Sequence, residues 1–308
     1  VSASAQITTR FVRFPPGRHN VLLPTRPRSA MAQAMAMYTP ANIAPRVALR
    51  GLWLTARVGG SRLVPGPRIH WRPELPVETF AALRTEWATA AGRAIEALAV
   101  YERPQATRAS LVVLVCAGSR SMLVRIRRDR ASLDVERRIS LAAERIAPMT
   151  FRVPAVVGEG EIDGWHWIGY EVISRGPHRP YRADAEPLAG DIERLVATVL
   201  DRPAGTPHHW RAAHGDLTPW NLRLVRGHTW LIDWEDARWA PPGTDAVYLA
   251  ATRAAVRRGP AAPRARPAEH EEAARLWLET VRRRLEVDGS SRLNERLLVL
   301  LGRKGVGG

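Results

Sequence analysis

Residues 214–236, HGDLTPWNLRLVRGHTWLIDWED, set an aspartate, an asparagine five residues later and a further aspartate twelve residues beyond that among apolar residues. Transfer of a phosphoryl group needs few protein groups, because positioning and charge neutralisation supply most of the catalysis. One carboxylate orients the acceptor hydroxyl and takes its proton. An amide or carboxylate from the same loop holds a metal ion, and another carboxylate bridges that ion to the phosphates. Asp216, Asn221 and Asp233 supply these three types in that order. Pro219 lies between the first two and argues for a rigid loop rather than a helix. TWLID reads as a short strand that ends in Asp233 and presents its carboxylate at the strand's edge. Each motif alone is ordinary, since HGD also makes capping turns and DWED also makes solvated acidic loops. Their conjunction and order carry the reading.

HGDLTPWN followed by IDWED resembles the catalytic and metal-binding loops of the aminoglycoside phosphotransferase family, small-molecule kinases with a protein-kinase-like fold. The resemblance implies ATP and Mg2+ as cofactors and a hydroxylated small molecule as the partner. It makes Asp216 the catalytic base, Asn221 and Asp233 the metal ligands, and His214 a brace for the loop. Gly243-Thr244-Asp245 resembles the family's downstream aspartate, with Asp245 beginning a helix and supporting the same loop. A kinase of this type also carries a strand lysine that grips the phosphates and pairs with a helix glutamate. In SMLVRIRRD that place falls on Arg125, or on Arg127, the next residue facing the same way, and Glu136 stands where the glutamate falls. Arginine is bulkier than lysine, always charged, and binds phosphate with a two-pronged fork. The hinge that meets adenine falls near Tyr170-Glu171-Val172, with Gly176 ending it, so Glu171 and Val172 join the ATP-binding set. No Gly-rich loop precedes the strand pair, where the chain reads ERPQATRAS.

The resemblance implies an α+β, protein-kinase-like fold of two lobes, and a strand-rich part followed by a helix-rich part fits a small strand-rich lobe and a larger helical one with a cleft between them. Residues 1–75 read as a basic, Pro-rich N-terminal extension with short apolar pieces and one helical stretch near AMAQAMAMY. Residues 76–175 read as the N-lobe and 176–308 as the C-lobe. Apolar recurrence at three and four predicts a helix over 77–100. SLVVLVCAGSRSMLVRIRRD predicts a hairpin, and a helix follows from about Asp134 to Ile146 with its acidic residue at the favourable N-terminal end. VPAVV and GWHWIGYEVI predict strands, and LAGDIERLVATVL, TDAVYLAATRAAV, EEAARLWLETVRRRLEV and SRLNERLLVLL predict helices. RRGPAAPRARPAEH reads as a loop.

Composition bounds the alternatives. Hydrophobic residues make up 45% of 308 and charged residues 25%, ordinary for a folded chain. The formal net charge of +16 raises nucleic acid as a partner, yet the basic residues are scattered arginines, Lys304 being the one lysine. That pattern suits a GC-rich coding sequence and leaves no nucleic acid expected. No apolar run long enough for a membrane span occurs, and the first twenty residues lack the apolar core of a signal peptide, so a cytoplasmic location is expected. The single Cys116 excludes an internal disulfide. The missing lysine keeps open a second reading, a kinase-fold binding protein that has lost efficient turnover. The basic C-terminal helices, with RAAVRR and VRRR, favour a neutral or anionic acceptor over a cationic antibiotic. Oligomeric state leaves no trace in the sequence.

Overall fold

The computed structural model describes residues 10–15, 20–40, 42–102, 111–256, 268–289 and 291–302. The stretch where a Gly-rich loop was sought, 103–110, and most of the Pro- and Arg-rich loop, 257–267, lie outside them. The chain opens with β1 (Arg10–Phe14), β2 (Val21–Pro24), α1 (Arg28–Ala34), α2 (Ile43–Gly59), β3 (Arg68–His70) and α3 (Val77–Ala91). Next come β4 (Ala97–Glu102), β5 (Leu111–Cys116), β6 (Met122–Arg127), α4 (Ala131–Ile146), β7 (Val156–Ile162) and β8 (Trp165–Glu171). The remainder comprises β9 (Arg179–Pro180), α5 (Glu186–Val199), β10 (Arg211–Ala213), β11 (Leu222–Val225), β12 (His228–Leu231), β13 (Arg238–Ala240), α6 (Thr244–Val256), α7 (Glu271–Asp288) and α8 (Arg292–Leu301). The fold is α+β, a strand-rich part followed by a helical one. Among the described residues no helix is long and apolar enough to cross a membrane.

One eight-stranded sheet, ordered β3-β1-β2-β4-β5-β6-β8-β7 and antiparallel throughout, makes the strand-rich part. Three of its strands come from before residue 75, so the segment read as an extension is hydrogen-bonded into the sheet. The apolar pieces FVRF, NVLLP and IHW overlap these strands. α2 went unread because its arginines and Pro45 mask the periodicity, although proline is tolerated in a first turn.

The helix expected over 77–100 is a helix and then a strand. Gly92 adopts φ 61°, and its N–H bonds back to the last turn, closing α3 at Ala91. The remaining ALAVYE pairs along its whole length with β5. An apolar run that short fits either periodicity, and the glycine decides. β5, LVVLVC, is buried nearly throughout because both faces are covered. Val113 and Val115 meet Phe80, Leu83 and Trp87 of α3 on one side. Leu114 and Cys116 meet Met31, Ala34 and Met35 on the other.

The later elements follow the sequence closely. α6 matches its expected range, and the other predicted helices of this part shift by a residue or two. β7 begins at Val156, not at Val153, since Pro154 cannot donate to a ladder. β12 ends at Leu231, two residues before Asp233, because Asp233 turns the chain at φ 70°. Trp87 is fully buried and meets Phe80 edge-on at 5.8 Å. Trp87→Ala should cost about 3–5 kcal/mol through lost burial and the cavity left behind. A shift of the urea midpoint worth under about 1 kcal/mol would show that α3 is not held by this contact.

Candidate functional site

Two loops, strand β6 and helices α4, α6 and α7 build the site. The first loop follows β10, a three-residue strand paired with β13. His214 is fully buried within it, and Asp216 and Asn221 are nearly so. The main-chain N–H groups of His214 and Gly215 donate to Asp245 Oδ2 and Oδ1 at 2.8 and 3.0 Å. Asp245 stands in the first turn of α6, so one helix start pins the loop. His214 Nδ1 accepts from the Asp216 N–H at 3.2 Å, which leaves Nε2 to carry the proton and donate to the Ile232 carbonyl at 3.1 Å. The imidazole thereby joins the first loop to the approach of the second and lies 4.5 Å from the Trp234 ring. Gly215 has φ 78°, and a Cβ there would collide with the Asp236 carbonyl oxygen. Only glycine permits this approach of the two loops.

Asn221 Nδ2 donates to Asp216 Oδ2 and to the Asp216 carbonyl, both at 3.0 Å. The other carboxylate oxygen of Asp216 lies 3.8 Å from Arg284 Nη2, which is 3.7 Å from Asp236 Oδ2. Arg284 comes from α7, donates to the Tyr248 hydroxyl at 2.7 Å and lies over the stacked rings of Tyr248 and Trp277.

Across from this loop, Arg125 of β6 is 4% exposed and reaches three carboxylates. It pairs with Glu136 of α4, with Asp233 Oδ1 at 3.1 Å and with Glu235 Oε2 at 2.9 Å. Arg127 takes Glu235 as well, at 2.5 Å. Of the two candidate arginines, Arg125 is therefore the one that meets Glu136. Burial alone would lower the Arg125 pKa, but the surrounding carboxylates carry it well above the ordinary value. Burial raises the Glu136 pKa, and Arg125 opposes that rise. Arg223, on β11, is drawn down to about 10 by burial, with Asp233 and Tyr101 pulling the other way.

Glu171 and Val172 stand apart from this charge cluster. Glu171 ends β8, where its N–H donates to the Ala155 carbonyl and its Oε1 accepts from the Ala155 N–H, each at 3.0 Å. Val172 packs with the apolar cluster beneath α1. Glu235, Arg284 and Arg223 were not singled out from sequence. Glu235 was findable, being two residues past Asp233, whereas Arg284 is one of many arginines and only the fold brings it to Asp216.

The hard oxygen donors of Asn221 and Asp233 suit Mg2+, which keeps waters and takes substrate phosphates rather than a full protein cage. No group of three or more His, Cys, Asp or Glu suited to a metal occurs among the described residues.

Residues 181–286 match the model of a phosphotransferase enzyme family, APH. The family expected from the two loops is the one whose model matches, over the segment that contains both, and its description gives the chemistry as phosphotransfer. No curated protein matches the chain. Among solved structures, a protein from Haemophilus somnus assigned as a fructosamine-3-kinase is similar at 12% identity, with 73% of this chain and 97% of that one covered and a TM-score of 0.43. A thermostable mutant of aminoglycoside phosphotransferase APH(4)-Ia, in a ternary complex with ADP and hygromycin B, is similar at 13% identity, with 72% and 88% covered and a TM-score of 0.38. An aminoglycoside phosphotransferase from Streptomyces rimosus stands at 17% identity, with 63% and 89% covered and a TM-score of 0.35. Similarity at that level says nothing of substrate.

Two outcomes follow from the buried charges. Arg125→Ala leaves Glu136 buried without its partner and should destabilise the protein by about 3–5 kcal/mol. Arg125→Lys keeps a charge but loses the fork, so urea unfolding should place it between the two. An alanine variant as stable as the parent would refute the pairing.

The second outcome concerns pH. Burial lowers the His214 pKa below its ordinary 6.5, so the folded state resists protonation there. Between that lowered value and 6.5 the unfolded chain binds more protons, and stability rises with pH. Acidification from pH about 7 towards 5 should therefore destabilise the parent. His214→Asn should be less stable at neutral pH and should show a shallower loss on acidification. An unchanged slope in urea unfolding would place the proton uptake elsewhere.

Proposed function

We propose that the protein is an ATP- and Mg2+-dependent phosphotransferase that moves the terminal phosphoryl group to a hydroxyl of a small molecule. The observation that carries this reading is that Asn221 holds Asp216 Oδ2 at 3.0 Å, Arg125 holds Asp233 Oδ1 at 3.1 Å, and the His214 ring ties the two loops together. Asp216 orients the acceptor hydroxyl and takes its proton as the oxygen attacks. Asn221 fixes Asp216 through its nitrogen, which leaves its own oxygen as the end for a cation. Asp233 offers the second cation ligand, held in place by Arg125. Bound Mg2+ would neutralise charge on the transferring phosphates. Arg125 stands in the lysine's place, with Glu136 holding it, and Glu171 and Val172 form the edge that meets the base. His214 and Asp245 keep the loop in shape.

By this reading residues 76–175 form the nucleotide lobe and 176–308 the lobe that binds the acceptor, while 1–75 widens the sheet. The reading places the protein in the cytoplasm, where ATP is made. A sugar or hydroxylated metabolite, neutral or anionic, suits the arginine beside Asp216 better than a polycation does.

A second reading, a kinase-fold binding protein without efficient turnover, is favoured by Arg125 itself. Three carboxylates already accept from it, so a phosphate has to compete for its N–H groups.

ATP consumption against a panel of hydroxylated metabolites and antibiotics separates the two. The parent should turn over at least one acceptor, and Asp216→Asn should lower transfer by roughly 10²–10⁴-fold while nucleotide affinity stays the same. Transfer by Asp216→Asn at the parent rate would remove Asp216 as the base. Binding without consumption across the panel would favour the second reading.

A further inference from the structure

The sheet face that carries Arg125 is covered by α4 over β8 and by the chain's own N-terminal segment over β4, β5 and the start of β6. Side chains two residues apart on a strand share a face, so Leu123 lies beside Arg125 on β6. Their cross-strand partners on β5 are Leu114 and Val112, and Leu114 in turn faces Ala99 on β4. Met31 and Ala34 of α1, and Met35 just after it, are fully buried in one cluster with Ala99, Leu114 and Cys116. Leu123 and Val172 pack against the same cluster. Leu123 and Arg125 are about 6.6 Å apart along the strand, less than a nucleotide is long. A nucleotide whose phosphates reach Arg125 and whose base meets Val172 has to lie on Leu123, Leu114 and Ala99. α1 lies there.

We infer that α1 is a cover over the donor site, folded in from the same chain, and that the nucleotide binds only when α1 withdraws. The inference rests on the kinase reading given above. Among the described residues the polar ties that hold the cover begin with Arg28, whose Nη1 donates to the Val58 carbonyl of α2 at 2.5 Å. Gln33 is buried and accepts from Ser121 Oγ at 3.3 Å, but its Nε2 is buried with no partner. Thr39 Oγ1 meets His178 Nε2 at 2.5 Å, and Asn42 Nδ2 donates to the Val256 carbonyl at 3.1 Å, strapping the end of the segment across to the helical part. Between these ties the contact is apolar, with one amide left unsatisfied. Such a contact can open without breaking an ion pair. A cover closed in ~99% of molecules lowers apparent donor affinity by ~100-fold, and a partner or acceptor that draws the segment away restores it.

The test compares binding of Mg2+·AMP-PNP to the parent and to Met31→Asp/Met35→Asp by calorimetry, with amide hydrogen exchange over residues 28–37. The variant should bind at least about tenfold more tightly, and nucleotide should speed exchange of the α1 amides in the parent. Thr39→Ala with Asn42→Ala cuts the strap without entering the core and gives the same comparison if the first variant fails to fold. Equal affinities, with α1 exchange in the parent unmoved by nucleotide, overturn the cover and leave the kinase reading standing. Absence of binding by the parent and by every folded variant overturns both.

Discussion

One buried guanidinium holds the site together. Arg125 projects from the middle of the sheet and meets a carboxylate from α4 and two from the loop after β12. A charge at 4% exposure is tolerable only when paired and hydrogen-bonded, so each partner has to be in place for the others to be. The sheet, the helix beside it and the acidic loop of the helical part thus share a single electrostatic condition. Lysine would meet it less well, since one ammonium cannot present a planar fork to three carboxylates. Here the arginine is as much an architectural choice as a departure from the kinase pattern.

The first loop is held by a different device. Asp245 accepts from two successive main-chain N–H groups, and the neutral imidazole of His214 bridges from the Asp216 N–H to the Ile232 carbonyl. Each of these contacts joins a side chain to backbone, so the loop's shape depends on Asp245 and His214. It depends on Gly215 as well, since its lack of a side chain lets the two loops touch. The acidic loop adds its own constraint at Asp233, whose positive φ is uncommon outside glycine but better tolerated by aspartate than by a branched residue. That turn aims the carboxylate at Arg125 instead of continuing the strand.

Much of this was legible from the residues, and the reasons are specific. Short-range spacing within 214–236 limits which side chains can converge, because Pro219 restricts the backbone between Asp216 and Asn221. Helices with a strong period, such as α7 and α8, were readable for the same local reason. The sequence misled where a long-range partner decides. ALAVYE is strand because β5 needs a neighbour, and FVRF, NVLLP and IHW are strands because the sheet extends to meet them. Arg284 gives no local sign of its place beside Asp216, since nothing in VRRR distinguishes it until α7 packs on α6. Glu235 was within reach, and the lesson there is chemical. A buried arginine with two carboxylates already named invites a search for the third.

The covered sheet face follows from the same physics. β5 is apolar on both sides, and an apolar face of that size left open to water would be unfavourable by roughly 25 cal/mol for each Å² exposed. In a nucleotide-binding protein the base covers part of such a face when it is bound, and water has to cover it otherwise. This chain places Met31, Ala34 and Met35 there instead. Methionine, unbranched and polarizable, fills irregular space and leaves it at little cost in fixed geometry. The short helix thus stabilises the sheet in the absence of a ligand by occupying the ligand's surface. The cost falls on affinity, because any ligand for that face has to offset the apolar contacts that α1 gives up.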